Sequence, residues 1–267
     1  MVTTIHELEK PKLKNPLFIE GLPGIGHVGR IEAQFLVEEL KAKKFAELLS
    51  SHFMHYVLLQ QSSSVHVLKN EFYYVKAKGR VQRDLVILIG DSQSIDPEGH
   101  YEISHEILDY LKKFGVKEMI TLGGLGIGEA KENPKVVGAV SDDGLDKKYK
   151  NFGIDFNAGS KVGTIIGASG LLLGLGKVYG MKGICLLGET SGYPILPDPK
   201  AAEAVLKILM KMLGVKLDIR KLDAKVKEME EFIKKIEEMQ RKAIGQMMQQ
   251  QMPPKGKEGK EELSYIG

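Results

Sequence analysis

Apolar residues along this chain fall into three patterns. The first is a set of short runs: Leu17 to Glu20, Leu85 to Ile89, Val116 to Leu122 and Ile184 to Leu187. Each leads into glycine, and runs of this length without polar alternation predict strands covered on both faces. The second pattern is helical spacing. Ile31, Phe35, Leu36 and Leu40 follow the first run. The pairs Asp96-Pro97 and Asp198-Pro199 each place an N-cap before a proline at the first helical position. Those helices are expected to run to Phe114 before Gly115 and to Leu213 before Gly214. The third pattern begins near Asp218, where Leu222, Val226, Met229, Ile233 and Ile236 follow a three-four alternation, with Lys and Glu on the other faces.

Strands alternating with helices predict an α/β domain with a largely parallel sheet and helices on both faces. Smaller elements complete it. Phe45 to Leu49 and His52 to Leu59 are strand-like. Val65 to Leu68 and Phe72 to Val75, separated by Lys69-Asn70-Glu71, are expected to pair as a hairpin. Lys135 to Val140 is a further candidate strand, and Asp142 to Lys150 a surface loop or short helix. Gly167-Ala168-Ser169-Gly170 opens a helix expected to reach Tyr179. Residues 1–15 are polar, and Pro11 and Pro16 discourage a helix there.

The domain division that follows is 1–217 for the α/β domain, 218–252 for a long helix, and 253–267 for a tail beyond Pro253-Pro254. The seam of Leu222, Val226, Met229, Ile233 and Ile236 either packs on its own domain or meets a copy of itself or a partner. Such a stripe left in water predicts a homo-oligomer. Lys255 to Glu262 holds only Gly, Lys and Glu, too little apolar surface to fold. Leu263, Tyr265, Ile266 and Gly267 then form a small apolar end on a solvated tether, a candidate partner-binding peptide.

Charge and composition narrow the class. The net charge is +3 over 267 residues, with Lys and Glu interleaved, so no broad basic face for nucleic acid is expected. Cys185 is the single cysteine, which excludes an intrachain disulfide. The first residues lack a signal-peptide profile, and no apolar run is long enough to span a bilayer. A soluble cytoplasmic protein is expected. The lack of Trp and the abundance of Lys and Glu lean toward a thermophilic source.

Candidate chemistry centres on Gly24, Gly26 and Gly29, which fit G-x-G-x-x-G between the first strand and the first helix. Such glycines can bring backbone close to a pyrophosphate. They equally serve a sharp turn and tight helix-to-sheet packing. The acidic residue a dinucleotide site needs is missing from its place, since Glu47 lies inside its strand and not at its end. Arg30-Ile31 follows Gly29 where a Walker loop has Lys-Ser/Thr. Asp91 and Glu189 end two strands, where α/β sheets bind ligands, so they join the three glycines as a possible residual pocket. His52 and His55 face opposite sides of a strand, and His100 and His105 are five apart, so no metal site is expected. Ser169 lies outside G-x-S-x-G, and Cys185 sits among Ile184, Leu186 and Leu187 as a core thiol. No catalytic residue and no cofactor are assigned, which points to a binding protein. A phosphorylase-like or nucleotide-binding enzyme using the Gly24 to Gly29 turn stays open as the alternative.

Three stretches together resemble the archaeal proteasome assembly chaperone 2 family: Gly21-Leu22-Pro23-Gly24-Ile25-Gly26-His27-Val28-Gly29, Gly123-Gly124-Leu125-Gly126, and Gly167-Ala168-Ser169-Gly170 running on to Gly188-Glu189-Thr190-Ser191-Gly192-Tyr193. The likeness covers roughly Pro16 to Leu213. It implies a three-layer α/β fold like that of nucleoside phosphorylases, used for protein binding instead of catalysis. It also implies assembly or activation of the proteasome core particle, with its α-subunits as partners. Some members insert a C-terminal hydrophobic-Tyr-any motif into pockets of the α-ring. Here Ser264 precedes Tyr265, and Ile266-Gly267 follows, so the motif is displaced by one residue. A scaffold for another protein partner is the remaining alternative.

Overall fold

A computed structural model describes residues 3–79, 81–129, 131–157, 163–193, 196–222 and 231. The chain divides into two compact units, Met1–Glu230 and Glu231–Gly267. Of the second, only Glu231 is described.

The first unit is built on a mixed sheet. Its strands are β1 (Thr3–Glu7), β2 (Leu17–Gly21), β3 (Lys43–Ser50), β6 (Asn70–Val75), β7 (Leu85–Gly90), β8 (Glu118–Gly126), β9 (Val136–Val140) and β10 (Lys182–Thr190). Two more strands, β4 (Val57–Leu59) and β5 (Val65–Val67), form a separate antiparallel ribbon. The main sheet runs β1-β3-β6-β7-β2-β8-β10-β9. The four expected apolar runs stand side by side at its centre as β7, β2, β8 and β10, all parallel. Every residue of β2 and β7 is buried, as continuous apolar strands require. On either side the pairing is antiparallel, so the sheet is parallel only in its middle.

Four helices cover the sheet: α1 (Val28–Glu39), α2 (Pro97–Lys112), α3 (Ala168–Gly176) and α4 (Pro199–Leu213). Helices α1 and α4 pack together on one face, and α2 and α3 on the other. Alternation along each strand decides which residues serve which layer. Leu17, Ile19, Ile87, Ile120 and Ile184 join Ile31, Phe35, Val205 and Leu209 in the α1/α4 core. On the α2 side an aromatic cluster dominates, with Tyr110 stacked on Phe45 at 6.0 Å and edge-on to Phe72 at 5.1 Å.

The two proline-led helices begin where expected. Asp96 Oδ1 accepts from Gly99 N at 2.7 Å, and Asp198 Oδ1 accepts from Ala201 N at 3.0 Å. Gly115 and Gly214 stand just past the helix ends at positive φ.

Several expectations are corrected. Val65–Val67 does not pair with the strand after it. It pairs with Val57–Leu59, and Lys69 to Glu71 carries the chain out of the ribbon into β6, with Asn70 already in register with Leu48 and Gly90. No turn residue stands in Lys69-Asn70-Glu71 beyond Asn70, so nothing reverses the chain there. Strand structure in His52 to Leu59 is confined to its last three residues; His52 instead holds Asp96 at 2.8 Å. Helix α3 ends at Gly176, short of Tyr179. Residues 3–7 form an edge strand that a polar sequence did not announce.

Leu222 is buried against the α1/α4 core, which places the first seam residue on its own domain. Val226, Met229, Ile233 and Ile236 lie outside the described residues, as do Leu263, Tyr265, Ile266 and Gly267.

Candidate functional site

The glycine-rich turn after β2 leads through a short 3-10 turn, Ile25–His27, into α1. Packing demands two of the glycines around it, Gly21 and Gly29. A Cβ on Gly21 would come within 2.2 Å of Gly29 O, and one on Gly29 within 2.4 Å of Leu122 O. Gly26 has φ +62°, and its carbonyl accepts from Asp198 N at 2.9 Å, fixing the start of α4. The spacing that resembles a phosphate loop therefore lets α1 lie against β2 and β8.

Around this turn the carboxyl ends of the central strands enclose a cavity of about 200 Å³. Gly24, Ile25 and Gly29 line it on one side, and Gly123 to Gly126 on another. Gln93, Ile165 and Ser169 close the rest. Gln93 ties three segments together: Nε2 donates to Pro23 O at 2.6 Å and Oε1 accepts from Ala168 N at 2.8 Å.

At the base of the cavity lies Glu20, which has no exposed surface. It stands opposite Thr121 on β8, which stands opposite Cys185 on β10. All three face α3, where Thr121 Oγ1 donates to Ser169 O at 2.9 Å. Glu20 Oε1 accepts from Leu22 N at 2.9 Å, while Oε2 has no partner among the described residues. Burial pushes its carboxyl up to about 8, against backbone donors at Leu22 and Leu122 that favour the charged form. Burial likewise pushes the Cys185 thiol up to about 12.

The residues singled out from sequence are only partly brought together. Gly24 and Gly29 line the cavity; Gly26, Asp91 and Glu189 lie outside its lining. Asp91 Oδ2 instead binds His66 at 2.7 Å and Lys69 N at 3.2 Å, tethering the β4–β5 ribbon. Glu189 pairs with Lys131 at 3.3 Å and accepts from Lys135 N at 3.1 Å. Among the described residues no three His, Cys, Asp or Glu side chains gather as metal ligands. Among the described residues Glu20 is the one titratable side chain in the cavity lining, with no second acid or base and no Lys or Arg beside it. Sequence reasoning passed over Glu20, although the acid that ends an otherwise apolar buried strand was a visible signal.

The ribbon forms a second surface feature. Val57, Leu59, Val65 and Val67 share its outer side, each between 46% and 65% exposed, while Leu58 is buried beneath. From Leu48 to Leu68 the chain has no Asp, Glu, Lys or Arg.

Fold and site together define an α/β/α protein whose central strand ends are lined, among the described residues, mainly by glycine and aliphatic side chains. The model of the PAC2 family matches residues 18–237, and the chain belongs to that family. It is 38% identical over 255 residues to the protein MJ1210 of Methanocaldococcus jannaschii, covering 96% of this chain and 93% of that one. Two crystal structures from Pyrococcus furiosus are similar. PbaB, described as an archaeal proteasome activator, is 46% identical with a TM-score of 0.79, covering 88% of this chain and 99% of its own. PbaA, described as an archaeal homologue of proteasome-assembly chaperone, is 32% identical with a TM-score of 0.71, covering 90% and 99%.

Proposed function

We propose that this protein is a non-enzymatic, oligomeric binding factor that assists or activates the proteasome core particle. The observation that carries this reading is the likeness to PbaB, 46% identical over nearly all of that chain. The cavity supports a non-catalytic role, because its lining among the described residues holds no acid–base pair. The uncharged, aliphatic outer side of the ribbon suits contact with another protein, since interface cores are depleted of charge. Helices on both faces of the sheet support reading the first unit as nucleoside-phosphorylase-like. Oligomerisation through Val226, Met229, Ile233 and Ile236 would array several tails, and effective concentration would then raise the weak affinity of each Leu263 to Gly267 peptide.

The test uses the full chain with an archaeal core particle and a fluorogenic peptide. The full chain is expected to raise peptide hydrolysis. Deleting residues 263–267 is expected to remove that gain while sedimentation still reports the same oligomer. Deleting Gly267 alone makes Tyr265 penultimate and is expected to strengthen the effect. Should hydrolysis respond to neither deletion, the α-ring is not what this tail contacts, and a different protein partner takes its place. A monomer at tens of micromolar would remove the oligomer from the proposal.

A further inference from the structure

Among the described residues, most of the large exposed apolar side chains gather at one end of the first unit. Four stand on the outer side of the ribbon. Ile25, Ile95, Ile166, Tyr193 and Leu196 are exposed as well, on segments that leave the carboxyl ends of β2, β7 and β10 or lead into α3. Close contacts make these segments one surface. A Cβ on Gly126 would come within 2.9 Å of Gly192 Cα, and one on Gly124 within 2.2 Å of Ile25 O. Asp198 N donates to Gly26 O, Gln93 bridges Pro23 and Ala168, and Ile95 N donates to His52 O at 3.0 Å at the foot of the ribbon. Charge is sparse along this face. Gly21 to Gly29, Gly163 to Gly176 and Thr190 to Pro197 hold no Asp, Glu, Lys or Arg, like Leu48 to Leu68. Asp91 and Asp96 are turned to His66 and His52.

We infer that this face joins two copies of the chain about a two-fold axis, the ribbon of each copy lying in the contact. Area is the first argument. Averaging about three-fifths exposed, these nine residues keep on the order of 1,000 Å² in water, against the roughly 800 Å² per partner that a standard interface buries. Monomers rarely leave so large an apolar patch uncovered. Charge is the second argument. A two-fold contact sets one surface against itself, so a charged patch would repel its own image, while an uncharged apolar one is self-complementary. The ribbon adds a third. Strands β4 and β5 pair only with each other, so each keeps an open backbone edge, with no Lys to blunt it. This contact belongs wholly to the first unit and is separate from the Val226 to Ile236 seam.

The test is sedimentation of the full chain at about 10 µM, where an interface of this size holds with a micromolar or tighter Kd. Leu59→Lys combined with Val65→Lys sets two ammonium groups of each copy into the contact, and it is expected to halve the sedimenting mass. Ile166→Lys alters the face away from the ribbon and is expected to raise the Kd at least tenfold. Val178→Lys is the control. Val178 is exposed too, but it lies just past the C-terminal end of α3, and its change is expected to leave the mass as it was. Every one of these side chains is exposed, so an unchanged melting temperature is expected and separates lost association from lost folding. A mass indifferent to the ribbon and Ile166 variants would overturn the inference even where the seam still holds an oligomer, and would leave the face to a different protein. A full chain that sediments as a monomer, or an equal loss in Val178→Lys, would overturn it as well.

Discussion

Glu32 lies within α1 with no exposed surface, and neither carboxyl oxygen has a partner among the described residues. Burial alone raises its pKa well above the ordinary value of a glutamic acid. The folded state therefore binds a proton that the unfolded chain releases above about pH 4.5. The stability this carboxyl contributes is complete below that pH and is lost as pH rises toward the folded value. Glu20 behaves alike, losing its contribution between about 4.5 and about 8. Each group can cost at most about 1.4 kcal/mol per pH unit across its window. Glu32→Met is expected to stabilise the protein by about 1–3 kcal/mol at pH 8, because an unpaired buried carboxyl is exchanged for an apolar chain of similar length. The gain should shrink toward pH 5. Urea midpoints at pH 5, 6.5 and 8 check this, and a gain that does not vary with pH would show that Glu32 is not neutral in the fold.

Glycines of equal standing in the sequence have very different places in the elements. Gly29 sits where α1 touches β8, and a Cβ there would meet Leu122 O at 2.4 Å and Leu122 C at 2.9 Å, both rigid backbone. Gly174, inside α3, has nothing within 4 Å. Gly29→Ala is expected to cost about 2–4 kcal/mol or to prevent folding, through backbone displacement in a packed core. Gly174→Ala is expected to gain about 0.5–1 kcal/mol from helix propensity. Thermal melts of the two variants decide it. The same contrast bears on what the sequence revealed. Apolar runs ending in glycine identified the four central strands, and Asp-Pro pairs identified two helix starts, because both signals are local. The β4–β5 pairing and the β1 edge escaped, because short strands take their register from neighbours distant in the chain. Glu20 escaped because its meaning depends on Thr121 and Ser169, which only the parallel register brings beside it.

At the scale of the whole molecule, the sheet order could not be read from periodicity, since β2 lies between β7 and β8 although β3 follows it in the chain. Spatial order of this kind is settled by crossovers and by which faces the helices must cover. It leaves Cys185 in β10, bordered by β8 and β9 and covered by α3, with no exposed surface. A thiol held there is inert until the strands around it part. The molecule thus carries its own clock. Consumption of dithionitrobenzoate, one equivalent per chain, times the opening of the central sheet without any introduced label. The rate is expected to stay low through moderate urea and to climb steeply near the global midpoint, where opening and unfolding become one event. Fast labelling in plain buffer would mean that α3 lifts away by itself.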